Sequence, residues 1–322
     1  ARSLAYSDFG AWAIASQMVV YSGVRMTLLW ILNKWRPDFI FSKDSFFDLF
    51  SFGSKLMLKS IVDTTVTRIT PTLIGKHFGF SAAGDYDQGN RLYSSGLDFL
   101  VGTMHNVSFP VLSKIETDDR FKKILRKLSR LLSFLTYPFF MVMILVSSPF
   151  VLGVLGAKWE QAIPVIQILA VGGIFYSLNG LNVQVLKVKG KSDYLLYFEL
   201  VRLALLMTAI VLVVALKESY LWIVGCLAII NLITYIMNSA VVKKLVGYKF
   251  SEQLRDTSPY FLLALISVLC AYFVSSIWTL DHVWLIVVRC SIVLILYCLS
   301  TYLSGSQITK EIVSLIKDKK LL

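Results

Sequence analysis

The chain has 322 residues, of which 56% are hydrophobic and only 16% charged. A soluble domain carries about 25% charged residues, so the composition excludes an ordinary water-soluble enzyme and points to lipid as the solvent. The formal net charge of +12 would suit a nucleic-acid binder, but its distribution along the chain points elsewhere.

Runs such as "FFMVMILVSSPFVLGVL", "ALLMTAIVLVVAL" and "FLLALISVLCAYFVSSIW" belong to nearly uncharged stretches of about 20 residues. In chain order the hydropathy predicts nine transmembrane helices near 10–32, 46–74, 89–112, 130–155, 162–186, 194–215, 220–242, 259–278 and 283–303. Helices are expected because lipid offers no partner to an open backbone amide, and no alternating barrel pattern is present. The fold class is therefore all-α, a polytopic membrane protein. The opening "ARSLAYSDFGAW" has neither an initiating Met nor a basic leader, so the chain reads as starting in mid-protein.

Lysine and arginine alternate strictly between successive loops. Lys34, Arg36 and Lys43 follow the first span and Lys76 alone follows the second; seven cations between Lys114 and Arg130 are followed by Lys158 alone. Lys187, Lys189 and Lys191 precede Lys217 alone; Lys243, Lys244, Lys249 and Arg255 precede a loop with none, and the tail carries Lys310, Lys317, Lys319 and Lys320. One side collects 21 basic residues and the other three. The positive-inside rule places the rich side, with the C-terminus, in the cytoplasm. The stretch "SKIETDDRFKKILRKLSR" reads as a short amphipathic helix lying at the headgroups. The four cysteines, Cys226, Cys270, Cys290 and Cys298, all lie in apolar runs without metal-ligand spacing and read as buried free thiols.

The second and third spans carry charge where charge is expensive. Each Lys, Arg or Asp at a span centre costs about 2.5–3.5 kcal/mol on insertion scales, against a gain of about 0.3–0.6 for each Leu or Ile. At ~100° per residue, Asp48, Lys55, Lys59, Asp63 and Thr70 share a stripe about 80° wide, and Asp87, Arg91, Ser94, Asp98, Gly102 and His105 share another. Arg68 points away from the first stripe, and snorkelling accounts for it. Two accounts fit the stripes: ion pairs that glue helices together, or a water-filled cationic cavity. The surplus of basic groups favours the cavity. Glu199 and Arg202, three residues apart, read as an interfacial ion pair. Pro71, Pro110, Pro138, Pro149 and Pro164, with "GGIFYSLNGLN", mark kinked or broken spans of the kind that line cavities, although packing kinks would look the same.

The segments "GAWAIASQMVV…LLWILNKWRP", "FGSKLML", "IGKHFG", "FPVLSKIETDDR", "GAKWEQAIPVIQIL" and "VKGKSDYLLYFELVR" together resemble the bacterial polysaccharide exporters related to the colanic-acid and O-antigen (Wzx-type) flippases. These belong to the multidrug/oligosaccharidyl-lipid/polysaccharide superfamily. The resemblance covers roughly residues 8 to 250. It implies an N-terminally truncated fourteen-helix transporter, in which residues 1–45 hold the last helix of the N-terminal lobe and an inter-lobe loop. Residues 46–250 would form a six-helix C-terminal lobe, and residues 251–322 two further helices and a basic tail.

The implied activity is not enzymatic. It is the movement of undecaprenyl-pyrophosphate-linked oligosaccharide across the inner membrane by alternating access. Lys55, Lys59 and Arg91 would neutralise the pyrophosphate, while Asp63, Asp98 and His105 would pair those cations or couple transport to a proton or sodium gradient. No cofactor or metal is expected, and the partners expected are the lipid-linked substrate, membrane lipids and a polysaccharide polymerase. A drug exporter of the same superfamily would want an acidic cavity, and a membrane-bound glycosyltransferase or acyltransferase would need a catalytic loop that the short outer connections do not supply.

Overall fold

The computed structural model describes residues 11–33, 41–115, 117–277, 281–306 and 308–309. Lys34, Arg36, Glu116, the four tail lysines and the side chain of Asp48 lie outside the described residues. The chain divides into two compact units at Phe50/Ser51. In the first, α1 (Ala11–Leu32) is an apolar helix. α2 (Lys43–Phe78) begins in that unit and continues into the second.

The second unit is a set of antiparallel rods. α2 is followed across Gly79 by α3 (Phe80–Leu97), which runs through a π turn (Asp98–Gly102) into α4 (Thr103–Ser113). Then come α5 (Asp118–Phe150), α6 (Ala162–Val188), α7 (Ser192–Ala215), α8 (Leu221–Val246), α9 (Phe250–Ser276) and α10 (His282–Leu303). Six of the rods, α5 with its closing turn and α6 to α10, are long and apolar enough to cross a membrane. The protein is a multi-pass membrane protein.

α6 is the most buried of these six, because small residues let neighbours approach its backbone. A methyl group on Gly172 would press on Ala228, and one on Gly173 on Phe140 and Tyr93. Close backbone approach at small residues substitutes for the hydrophobic effect, which lipid removes. Amides add specificity: Asn182 of α6 donates to Gln253 of α9 at 3.2 Å, and Gln253 donates to Ser239 of α8 at 3.0 Å. Outward faces are apolar instead of polar, as Ile266, Phe273, Trp284 and Leu294 illustrate. This inversion corrects the expectation for the cysteines. All four are free, but Cys270 and Cys298 are exposed and Cys226 and Cys290 half-exposed, because an apolar run here faces lipid as readily as core.

The basic ends of the rods meet one another. Lys189 reaches Asp118 at 2.7 Å, and Lys122 reaches Glu252 at 2.9 Å and the carbonyl of Gly247 at 2.8 Å. Gly247 adopts φ 67° to end α8, a left-handed turn that glycine enters without steric cost. Asp256, nearly buried, accepts from Arg126 (2.7 Å), Arg130 (2.6 Å) and the Tyr248 hydroxyl (2.9 Å).

This network corrects the expectation of a separate surface helix between the third and fourth spans. Residues 118–130 are the first turns of α5 itself, standing about 18 Å beyond the apolar stretch. The amphipathic stripe belongs to protein, since Phe121, Leu125 and Leu132 are fully buried against Leu181, Val185, Val242 and Tyr248. Of the prolines, Pro71, Pro110, Pro138 and Pro149 lie inside helices and Pro164 falls in the first turn of α6.

Removing one member of a buried ion pair leaves the others uncompensated, which costs up to about 3–5 kcal/mol. The arginine side chains around Asp256 remain 26–35% exposed, so Asp256→Ala is expected to cost about 2 kcal/mol. A lowered melting temperature of the purified protein in detergent measures it, and Asp118→Ala at the exposed pair should leave that temperature nearly unchanged.

Candidate functional site: a charged cavity between α2 and α7

α2 is held to α7 along its basic half by three successive ion pairs. Lys55 meets Asp193 at 2.6 Å, Lys59 meets Glu199 at 3.3 Å, and Asp63 meets Arg202 at 2.8 Å. The helix period produces this ladder: 55, 59 and 63 recur every four residues on one face. Arg202 also bonds Glu199 at 2.8 Å, and Lys59 lies 3.7 Å from Asp63. Farther along, Val66, Thr70 and Ile74 of α2 are buried in the apolar core. Thus α2 is packed at one end and suspended on ions at the other. Ser60, Thr64, Thr65, Thr67, Thr70 and Thr72 each donate to the carbonyl four residues back, which satisfies their hydroxyls locally.

Beside the ladder lies a cavity of about 170 Å³ lined from five helices. Lys59 and Asp63 come from α2, His105 from α4, Tyr176, Asn179 and Lys187 from α6, Glu199 and Arg202 from α7, and Asn231, Thr234 and Asn238 from α8. Lys59, Lys187 and Arg202 outnumber Asp63 and Glu199 by one positive charge. Four buried polar atoms on this lining, His105 Nε2, Asn179 Oδ1, Arg202 Nε and Asn238 Oδ1, have no hydrogen-bond partner among the described residues. Buried polar atoms are ordinarily partnered, and each unpaired one costs about 1–3 kcal/mol. Their convergence marks a place for water or a polar ligand atom. The imidazole of His105 lies against Gly180 in this position, and a methyl group there would run into the ring and force it to shift.

Of the predicted residues, Lys59, Asp63 and His105 line the cavity, and Lys55 closes the ladder next to it. Arg91 and Asp98 are exposed on α3 and the π turn and do not line it; neither forms an ion pair among the described residues. The π turn accounts for the separation. It inserts one residue into the i→i+4 ladder and sets everything beyond it back by about 100°. His105 therefore departs from the stripe that a straight helix would give. Glu199 and Arg202 do form the expected pair, but inside the cavity wall. Lys187, Asn231, Thr234 and Asn238 join the lining without a prior sequence signal.

The fold superposes on the lipid II flippase MurJ in its inward closed conformation with a TM-score of 0.66. That likeness covers 83% of this chain and 56% of the other at 12% identity. The family described as polysaccharide biosynthesis protein matches residues 1–164, half of the chain, and the chain belongs to it. Among curated relatives it is 25% identical over 266 residues to the teichuronic acid biosynthesis protein TuaB of Bacillus subtilis, covering 81% of this chain and 54% of that one. It is 27% identical over 274 residues to the succinoglycan biosynthesis transport protein ExoT of Rhizobium meliloti, covering 84% and 55%. To the lipopolysaccharide biosynthesis protein WzxC of Escherichia coli it is 24% identical over 257 residues, covering 79% and 52%. The chain spans about half the length of these relatives.

The ladder separates a buried pair from an exposed one. Arg202→Gln leaves Glu199, 9% exposed, without its guanidinium and is expected to cost about 3 kcal/mol. Lys55→Gln breaks a pair whose acid is 71% exposed and should cost under about 1 kcal/mol. Thermal melting of both variants in detergent tests the contrast; equal losses would show that the ladder is not graded by burial.

Proposed function

We propose that this protein is part of a transporter that carries undecaprenyl-pyrophosphate-linked oligosaccharide across the bacterial inner membrane, with the basic loops on the cytoplasmic side. The single observation that carries the reading is the cation-surplus cavity of Lys59, Lys187 and Arg202, with unpaired polar atoms beside it. It sits in a chain of the polysaccharide biosynthesis protein family. Lysine supplies point charge to phosphate oxygens, and arginine supplies a planar fork. Asp63 and Glu199 compensate these cations while no substrate is bound, so the site avoids an uncompensated charge cluster at rest.

Phosphate binding would displace carboxylate from Lys59 and loosen the hold of α7 on α2. In that exchange α2 moves at its ion-held end while Val66, Thr70 and Ile74 keep the other end packed. This supplies a local hinge for alternating access. In this reading His105 and the two carboxylates couple the exchange to a proton or cation gradient. The oligosaccharide itself exceeds about 170 Å³, so in this reading the cavity takes the phosphate end and the sugars extend beyond it.

Complementation tests the proposal. In a strain lacking the gene, the double variant Lys59→Gln/Lys187→Gln is expected to insert in the membrane at wild-type levels and to lower surface polysaccharide at least tenfold. Lipid-linked repeat units should accumulate at the same time. Wild-type polymer levels from the double variant would overturn the assignment.

A further inference from the structure

A second polar constellation lies away from the charged cavity, between α5, α9 and α10 at the end opposite the basic loops. There a cavity of about 510 Å³ is lined by Leu145, Leu269, Tyr272, His282, Leu285 and Arg289, among others. Arg289 belongs to the apolar helix α10, where a guanidinium is costly unless it is partnered. It forms no ion pair among the described residues; instead its Nε donates to Ser275 Oγ at 3.0 Å and its Nη1 to the carbonyl of Leu145 at 2.9 Å. Tyr272 stacks on the guanidinium, 5.7 Å from ring centroid to Cζ. These contacts use two of the five N–H donors and hold the fork in place. The edge formed by Nη1 and Nη2 keeps three donors, and that edge is the one able to grip two oxygens of a phosphate.

Depth and lining indicate the source of that phosphate. Ser275 is the residue before the last of α9, so the guanidinium reaches from residue 289 to within one turn of the end of that helix. Leu269 and Tyr272 are 46% and 49% exposed on the apolar flank of α9, so the cavity opens sideways toward acyl chains. Asp281 at the start of α10 does not line it. A cationic fork near the end of α9, beside an aliphatic trough lined by exposed side chains, matches a glycerophospholipid, phosphate on the guanidinium and acyl chain along Leu269 and Leu285. We infer that Arg289, Tyr272 and the cavity between α5, α9 and α10 form a binding site for the phosphodiester headgroup of a membrane phospholipid, separate from the transport cavity.

Native mass spectrometry of the purified protein, titrated with phosphatidylglycerol, tests this. The wild-type protein should retain one phosphatidylglycerol about tenfold more tightly than Arg289→Gln. Arg289→Lys, which keeps charge but loses the fork, should fall between them. Leu285→Trp, which fills the trough and leaves the guanidinium in place, should also lose the retained lipid, and it serves where Arg289→Gln folds poorly. Neither millimolar inorganic phosphate nor uncharged diacylglycerol should displace the bound lipid. Equal retention by wild type, Arg289→Gln and Leu285→Trp overturns the site, and so does displacement by phosphate alone or by diacylglycerol alone.

Discussion

Everything distinctive about this protein turns on the pairing of Arg202 with Asp63 and Glu199 in a low-dielectric wall. A lone guanidinium nearly three turns into α7 would be prohibitive in lipid, and so would either carboxylate without it. Together they make a seam strong enough to hold α2 and polar enough to be competed for by another anion. Lys59 widens the seam to four charged groups, and Lys187 tips the balance to positive. Apolar packing at the same place would have held α2 without any charge in the cavity wall.

The scaffold around the seam is conventional membrane architecture. α6 runs through the middle because glycine at 172 and 173 lets α8 and α5 approach its backbone. The amides of Asn182 and Gln253, with the Ser239 hydroxyl, lock three helices without net charge. At the basic end, Asp256 gathers two arginines and a tyrosine and turns repulsive positive charge into a clasp between α5 and α9. The cations that orient a membrane protein during insertion are therefore reused as mortar once it has folded.

The helices were legible because hydropathy and loop charge are one-dimensional signals. α6 was expected at 162–186 and spans Ala162–Val188. The start of α5 was not, because an amphipathic stripe of Phe121, Leu125 and Leu132 reads the same whether it covers lipid or a neighbouring helix. In the site, Lys59 and Asp63 were legible from period alone. His105 was found by a straight-helix argument that the π turn invalidates, so its place in the cavity rests on the unwound geometry and on Gly180. Lys187 was hidden among the topological charges at a span end. Asn231, Thr234 and Asn238 were silent, since a neutral amide in an apolar helix does not announce which way it faces.

The contact between His105 and residue 180 has a consequence for how sequences of this kind drift. The imidazole occupies the volume that any side chain at 180 would need, so the two positions share a single allotment of space across the gap between α4 and α6. A bulkier residue on α6 is admissible only after the ring on α4 has turned aside or been replaced by a smaller side chain. Natural variants should therefore show these two alignment columns changing in tandem, separated though they are by seventy-five positions.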